Sequence, residues 1–318
     1  TVPVLRFSAT PSGNIGGGTA LTVNGLLEAN AAITFAGNGN KNFRDGIIGT
    51  GNIGYATGTG KFVINGTTAV LGGTGTLTNP NGVDVGTGTT LTMVSAKSIT
   101  GNLSLLADSY IELGAYNLSV SGQVNGGAVN AYVRTTGTGA LVRSVSAAGD
   151  YVFPVGSATK YQECTINFAA PLGAANTLAA RFVSGEGGLN GLPLSESGDN
   201  INRISPEGYW EVNAGAPFAD AYTGTFVARN FNGVLDYSKL HLLKRTDAVS
   251  PWTLDGTHVP TTGTNALATL QRTGMSGFSQ FAAGGELNIA LPVKFSNVKA
   301  YQQGSGIKVE WSNLTESN

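Results

Sequence analysis

The chain has 318 residues, of which 12% are charged and 41% hydrophobic, and its formal net charge is −1. A typical soluble domain carries about 25% charged residues, so this surface is weakly charged, and the sequence contains no basic tract that would neutralise nucleic-acid phosphates. The single cysteine, Cys164, excludes a disulfide framework and a metal cluster built on thiolates. The alternating residues around Cys164 predict that its thiol lies in a core.

Residues 1–12 read TVPVLRFSATPS and form an apolar, strand-like segment. We interpret this segment either as a local strand that caps the array after it or as an arm that pairs with another molecule. Its first residues resemble a mature N-terminus from which a signal peptide has been removed. The sequence has no run of about 18 apolar residues, so it predicts no transmembrane helix.

Residues 13–149 consist of short apolar pieces separated by Gly, Thr and Asn. Their recurring unit is a triplet with apolar ends and a polar centre, as at residues 21–23, 91–93, 103–105 and 118–120. In a strand, the outer two residues of such a triplet share one face. No segment shows the 3.6-residue period of a helix, and the triplets are unevenly spaced. The pattern predicts an irregular β-solenoid, or β-helix, with Gly and Asn at its corners.

Residues 150–285 contain fewer glycines, more aromatic residues and about nine strand-like segments at hairpin-like spacing, which predict an antiparallel β-sandwich. We interpret the aromatic residues Tyr209, Trp210, Phe218 and Trp252 as core residues, with a sugar-stacking platform as the alternative.

Residues 286–318 contain two alternating strands, PVKFSNVKAY and GIKVEW, on either side of a QQGSG turn. They predict a β-hairpin that begins an Ig-like module without completing it.

The segment LPVKFSNVKAYQQGSGIKVEWSNLTESN resembles a segment of large surface proteins that Bacteroidota export by type IX secretion. In that family the segment opens a fibronectin/Ig-like module. The earlier runs YVFPVGSATKY, GYWEV and RTGMSGFSQFAAGG resemble the β-domain that precedes this module, and the Gly/Thr array resembles the family's β-helical region. The resemblance implies a secreted protein at the cell surface, and it carries no catalytic residues to transfer.

Motifs for catalysis are weak. Residues 49–54 match G-x-G-x-x-G, but the sequence after them cannot open the helix that a dinucleotide site requires. Asp108 and Glu112 share parity on one strand-like segment, so they are the candidate carboxylates for sugar cleavage, although we favour their interpretation as solvated turn or rim residues. His241 alternates with leucines, which predicts that it faces the polar side of its strand.

Three acidic residues are candidate Ca²⁺ ligands, although their spacing is not that of the usual calcium-binding loop: Glu186, Glu196 and Asp199.

Taken together, these observations predict an extracellular structural or adhesive protein that is not an enzyme and needs no cofactor or metal. We expect it to associate with itself, as an oligomer or a filament joined head to tail by strand donation, or to bind a cell-surface polysaccharide. A carbohydrate-binding or carbohydrate-cleaving β-helix protein is the alternative. The residues predicted to form the assembly interface are Val2, Val4, Leu5, Phe7, Val293, Phe295, Val298, Ile307, Val309 and Trp311.

Overall fold

The computed structural model describes residues 4–16, 18–217, 219–288 and 294–315. Across these residues the chain is all-β, with 34 strands, one 3-10 turn at Tyr237–Lys239 and no α-helix. Strands are short where Gly and Asn interrupt the apolar runs, because these residues tolerate the backbone conformations of tight corners.

The first 21 strands are β1 (Val4–Phe7), β2 (Leu21–Val23), β3 (Leu26–Ala29), β4 (Ile33–Phe35), β5 (Lys41–Phe43), β6 (Gly46–Ile48), β7 (Ile53–Tyr55), β8 (Phe62–Ile64), β9 (Thr68–Leu71), β10 (Leu77–Thr78), β11 (Val83–Val85), β12 (Thr90–Met93), β13 (Lys97–Thr100), β14 (Leu103–Leu105), β15 (Tyr110–Glu112), β16 (Leu118–Val120), β17 (Val124–Asn125), β18 (Tyr132–Arg134), β19 (Leu141–Val145), β20 (Gly149–Phe153) and β21 (Val155–Gly156).

The later strands are β22 (Cys164–Phe168), β23 (Asn176–Ser184), β24 (Leu194–Glu196), β25 (Asp199–Ile201), β26 (Arg203–Ile204), β27 (Gly208–Ala214), β28 (Tyr222–Arg229), β29 (His241–Arg245), β30 (Thr257–Thr264), β31 (Leu267–Met275), β32 (Gln280–Gly285), β33 (Lys294–Gln303) and β34 (Gly306–Thr315).

The predicted β-solenoid is confirmed, and it has about seven turns built from three parallel sheets. Sheet A contains β1, β3, β6, β9, β12, β15, β18 and β21; sheet B contains β4, β7, β10, β13, β16 and β19; sheet C contains β2, β5, β8, β11, β14 and β17. Val4 pairs with Leu26, Leu26 with Gly46, and Gly46 with Val70, so successive turns take 22, 20 and 24 residues. These unequal turns explain the uneven spacing of the triplets.

The solenoid interior is filled by one residue in two from each strand. Leu27, Ile47 and Leu71 stack in sheet A with no exposed surface. In the early turns, the rings of Phe35 and Phe62 meet edge to face with their centroids 5.8 Å apart. Stacking of like residues along the axis buries each turn against its neighbours, which a single turn could not do alone.

Two kinds of residue make the corners. Gly49 and Gly73 have φ angles of 120° and 92°, and a Cβ on Gly73 would overlap the backbone of Gly49 one turn before it. Elsewhere, asparagine side chains accept hydrogen bonds from backbone N–H groups one turn later: Asn38 from Thr59, Asn40 from Lys61, Asn52 from Thr76, Asn102 from Gln123 and Asn117 from Ala140. The asparagines therefore join turns where the strands do not.

Sheet B continues beyond the solenoid. Strand β19 pairs antiparallel with β23, and β27, β32 and β26 follow in the same sheet, with β29 also beside β32. A second antiparallel sheet has the order β20-β22-β28-β31-β30. Hydrogen bonding therefore runs across the predicted boundary between residues 149 and 150, while the division into four domains stays a prediction.

The aromatic core prediction is confirmed for both tryptophans of this region. Trp210 has no exposed surface, and its ring centroid lies 5.4 Å from that of Phe182 and 5.2 Å from that of Phe226. Trp252 is 1% exposed and its indole N–H donates to the Gly188 carbonyl. Phe218 lies outside the described residues. Cys164 is fully buried, as its sequence context predicts.

The chain divides into two compact units, Thr1–Leu287 and Asn288–Asn318. The second unit contains the antiparallel hairpin of β33 and β34. Gly304, with a φ of 63°, lies in the turn between them.

Candidate functional site

Three of the residues predicted to form the N-terminal part of the assembly interface lie in the first strand of sheet A. Val4, Leu5 and Phe7 belong to β1, which pairs in parallel with β3 so that Phe7 lies opposite Ala29. All three are partly buried. Strand β1 is the terminal strand of sheet A, so its outer edge carries no neighbouring strand among the described residues. Val2 lies outside the described residues.

Four of the residues predicted to form the C-terminal part of the assembly interface lie on one face of the hairpin. Val298 pairs with Trp311, Ala300 with Val309, and Gln302 with Ile307. Directly opposed residues of an antiparallel pair project to the same side, and so do residues two apart along a strand. Four predicted residues therefore share one surface with Ala300, and we call this surface the hairpin apolar face: Val298, Ala300, Ile307, Val309 and Trp311.

The hairpin apolar face is open to solvent. Val298 is 60% exposed, Ile307 77% and Trp311 62%. The opposite face is polar, because Lys308 pairs with Glu310 at 2.8 Å and the Tyr301 hydroxyl donates to the same carboxylate. Phe295 lies in β33, and Val293 falls outside the described residues.

The two candidate carboxylates for sugar cleavage are each engaged by a neighbour from the next turn. Asp108 lies in the turn before β15 and accepts a hydrogen bond from the Asn130 amide at 2.6 Å. Glu112 pairs with Arg134 at 2.8 Å, and the Arg134 guanidinium lies 3.6 Å from the centre of the Tyr110 ring. Both carboxylates thus act as links between turns of the solenoid.

A buried charged cluster, absent from the predicted site, lies where the short hairpin β24–β25 meets β29, β30 and β31. His241, on β29, has no exposed surface. Its Nδ1 lies 3.0 Å from Glu196 Oε2, and its Nε2 lies 3.2 Å from Asp199 Oδ2. Ionised carboxylates only accept hydrogen bonds, so both contacts are hydrogen bonds when the ring is a doubly protonated imidazolium. His241 therefore faces polar side chains, as predicted, but these surroundings are buried rather than open to solvent.

Arg272, on β31, binds the Glu196 carboxylate within the cluster. Its Nη1 and Nη2 donate to the two oxygens of Glu196 at 2.7 and 2.8 Å, in the bidentate geometry that gives the strongest arginine–carboxylate pairs. Its remaining donors reach the carbonyls of Asp255 and Gly256. Arg272 is 1% exposed, so the pair is held in a largely water-excluded position.

His258, on β30, also belongs to the cluster, and one of its ring nitrogens has no hydrogen-bond partner among the described residues. Its ring centroid lies 4.3 Å from that of His241, with the planes tilted by 30°. Its Nδ1 is buried and makes no hydrogen bond in the described part of the chain. Burial lowers the pKa of His258, and the neighbouring His241 adds to this effect.

The carboxylates of the cluster are stabilised as anions. Burial acts to raise the pKa of Glu196, but the hydrogen bonds and charge of Arg272, with those of His241, outweigh it, so the net pKa is lowered. The Lys239 ammonium, 2.6 Å from Asp199, lowers the pKa of Asp199, and His241 adds to the lowering. Of the acids considered for Ca²⁺, Glu196 and Asp199 meet at His241, whereas Glu186 is exposed.

The sequence carries only a faint signal for this cluster. The run LSESGDN is rich in the residues that favour turns, and in the structure Ser197 and Gly198 both adopt positive φ angles. Nothing local shows that this turn folds over β29 and β31, which lie more than 40 residues later in the sequence. The two histidines also alternate with residues of mixed character, which hides their burial.

Comparison with protein-family models, with curated proteins and with solved structures finds no match. Within the described residues, no helix is long and apolar enough to cross a membrane.

Proposed function

We propose that this chain is an extracellular structural or adhesive protein that works through shape and self-association. In this proposal the solenoid is a spacer, the region of residues 150–285 is a β-sandwich that follows it, and residues 286–318 begin an Ig-like module. The resemblance of the C-terminal segment to type IX-exported surface proteins supports the proposed location.

The observation that carries the proposal is the hairpin apolar face. A two-stranded hairpin is marginally stable alone in water. Full burial of an aliphatic or aromatic side chain contributes about 1.5–3 kcal/mol, so covering Val298, Ile307 and Trp311 would stabilise the hairpin substantially. An exposed apolar patch with a polar opposite side is typical of a surface that takes part in association.

The solenoid suits the role of spacer. Eight strands of sheet A at about 4.8 Å per step make a stack about 34 Å long. Cross-turn pairs such as Arg6 with Glu28 and Lys61 with Asp84 line its outer surface. The backbone hydrogen bonds of the stack run along its axis, which favours stiffness.

The proposed contact joins the hairpin of one copy to the open edge of β1 in the next copy. An extended strand can add to such an edge through main-chain hydrogen bonds, with alternate side chains giving specificity. Leu5 and Phe7 of β1 project toward the solenoid core, so an added strand with apolar residues two apart would extend that core. Because this contact is heterologous, it propagates into a filament when it does not close into a ring.

The test is electron microscopy of the purified chain together with sedimentation analysis. The wild-type chain is expected to form filaments, whereas deletion of residues 1–10 or the double variant Ile307→Asn/Trp311→Ser is expected to give discrete particles. Lys299→Ser, on the polar face of the same hairpin, is the matched control and should leave filaments intact. Discrete wild-type particles, or filaments that persist in both altered chains, would contradict the proposal.

A further inference from the structure

The charged cluster holds three metal-ligating groups close together. Glu196, His241 and His258 each offer one ligand atom, and these atoms lie within 4.8 Å of one another. Two imidazoles and a carboxylate form a donor set that suits Zn²⁺ and its first-row neighbours. The three residues come from β24, β29 and β30, so no local sequence motif unites them.

The distances are close to those that a cation needs. With metal–ligand bonds of about 2.1 Å at tetrahedral angles, neighbouring ligand atoms are about 3.4 Å apart. His241 Nδ1 and Glu196 Oε2 are 3.0 Å apart, so a slight increase in this distance would admit an ion between the two atoms. His258 supplies a buried nitrogen without a partner, and its ligand atom already lies within 4.8 Å of those of Glu196 and His241.

Residues around the donors hold them in a ligating state. Asp199 lies against His241 Nε2 at 3.2 Å, which leaves Nδ1 as the nitrogen that faces Glu196. A carboxylate on the far nitrogen of a ligating histidine fixes its orientation and raises its basicity. Arg272 orients Glu196 in the same way, through one hydrogen bond to each of its oxygens.

We propose that Glu196 Oε2, His241 Nδ1 and His258 Nδ1 bind a single first-row divalent cation of the Zn²⁺ class. The cation takes the place of the proton that His241 Nδ1 shares with Glu196. The displaced proton leaves to solvent, so a cation of charge +2 adds one positive charge to the cluster, in which Arg272 and Lys239 already balance the two carboxylates. The ion links β24, β29 and β30, and it stabilises the packing of the β24–β25 hairpin against the other two strands. This site is independent of the proposed assembly contact.

The chain offers a clean test because its two histidines are both in the cluster. Zn²⁺ is titrated into the untagged, chelator-treated chain by calorimetry, and the imidazole nitrogens are followed by NMR. The expected result is one Zn²⁺ per chain, a shift of both His241 and His258 signals, and a higher Tm with Zn²⁺ present. Absence of stoichiometric binding, or binding that leaves the imidazole signals unmoved, would overturn the proposal.

Three variants test the roles of individual residues. Each variant is first shown to have the circular dichroism spectrum of the wild type in the absence of metal. His258→Ala leaves the contacts of His241, Glu196 and Arg272 in place and should abolish stoichiometric binding. Asp199→Asn changes only a residue behind the ligands and should weaken binding by about 10- to 100-fold. Glu186→Gln, in the exposed loop that precedes β24, is the matched control and should bind as the wild type does. Unaltered Zn²⁺ affinity in His258→Ala would show that His258 is not a ligand and would overturn the proposed site.

Discussion

Lys97 gives the sharpest test of how the solenoid core is built. It is the first residue of β13 and is 3% exposed, and its ammonium group has no hydrogen-bond partner in the described part of the chain. Burial lowers the pKa of Lys97 from 10.5 to about 8. Burial of a charged amine without a partner lowers the free energy of unfolding. We therefore expect Lys97→Met to stabilise the protein.

The size of the gain follows from the pKa. A tenfold change in proton affinity corresponds to about 1.4 kcal/mol, so the lowering of the Lys97 pKa corresponds to roughly 3 kcal/mol. Because the folded pKa lies below the unfolded one, the unfolded chain binds the extra proton between pH 8 and 10.5. The penalty is therefore fully present below pH 8 and is relieved as the pH rises toward 10.5.

The assay is urea denaturation of the wild type and Lys97→Met at pH 7 and at several values up to pH 10.5. The variant should be more stable by up to about 3 kcal/mol at pH 7, and the difference should narrow as the pH rises. Lys41→Met is the matched control: Lys41 is also buried, but its ammonium donates to the Gly39 carbonyl at 2.8 Å and lies 5.7 Å from the centre of the Tyr55 ring. Its removal should give a smaller gain.

Destabilisation of the chain by Lys97→Met at pH 7 would show that the buried Lys97 ammonium does not cost stability. A difference between wild type and variant that stays constant from pH 7 to 10.5 would also contradict the prediction, because the burial penalty would then not come from the charge.

Three further predictions concern packing. Gly73→Ala should destabilise the chain by more than about 1 kcal/mol, since it places a side chain against the backbone of Gly49 at a residue with a positive φ. Gly13 has open space around it, so the control Gly13→Ala should change the urea midpoint little. Trp210→Ala should cost about 3–5 kcal/mol in urea denaturation through the cavity it leaves, and a loss below about 1 kcal/mol would show that the site collapses or is not packed as described. Cys164, whose pKa is raised by burial, should react with a thiol reagent only in denaturant, and rapid labelling of the native chain would contradict its burial.

The short strands of the solenoid could be predicted because their signal is local. Residues 91–93, 103–105 and 118–120 all lie in strands whose apolar ends are buried and whose polar centres face outward. This alternation follows directly from the two-residue period of a strand, so it needs no knowledge of the partner strand. The same locality explains why the hairpin apolar face could be recognised from its alternating residues.

The sequence alone determined the all-β class, the solenoid and the alternation of buried and exposed positions, since each depends on neighbouring residues. Only the tertiary structure decided the 20- to 24-residue turns, because small changes in corner length leave the local pattern intact. It also decided the switch of sheet B from parallel to antiparallel pairing at β23. Glu196, His241 and Arg272 come from β24, from β29 of sheet B and from β31 of the second antiparallel sheet, so residues up to 76 positions apart acquire a shared chemistry that no local pattern could reveal.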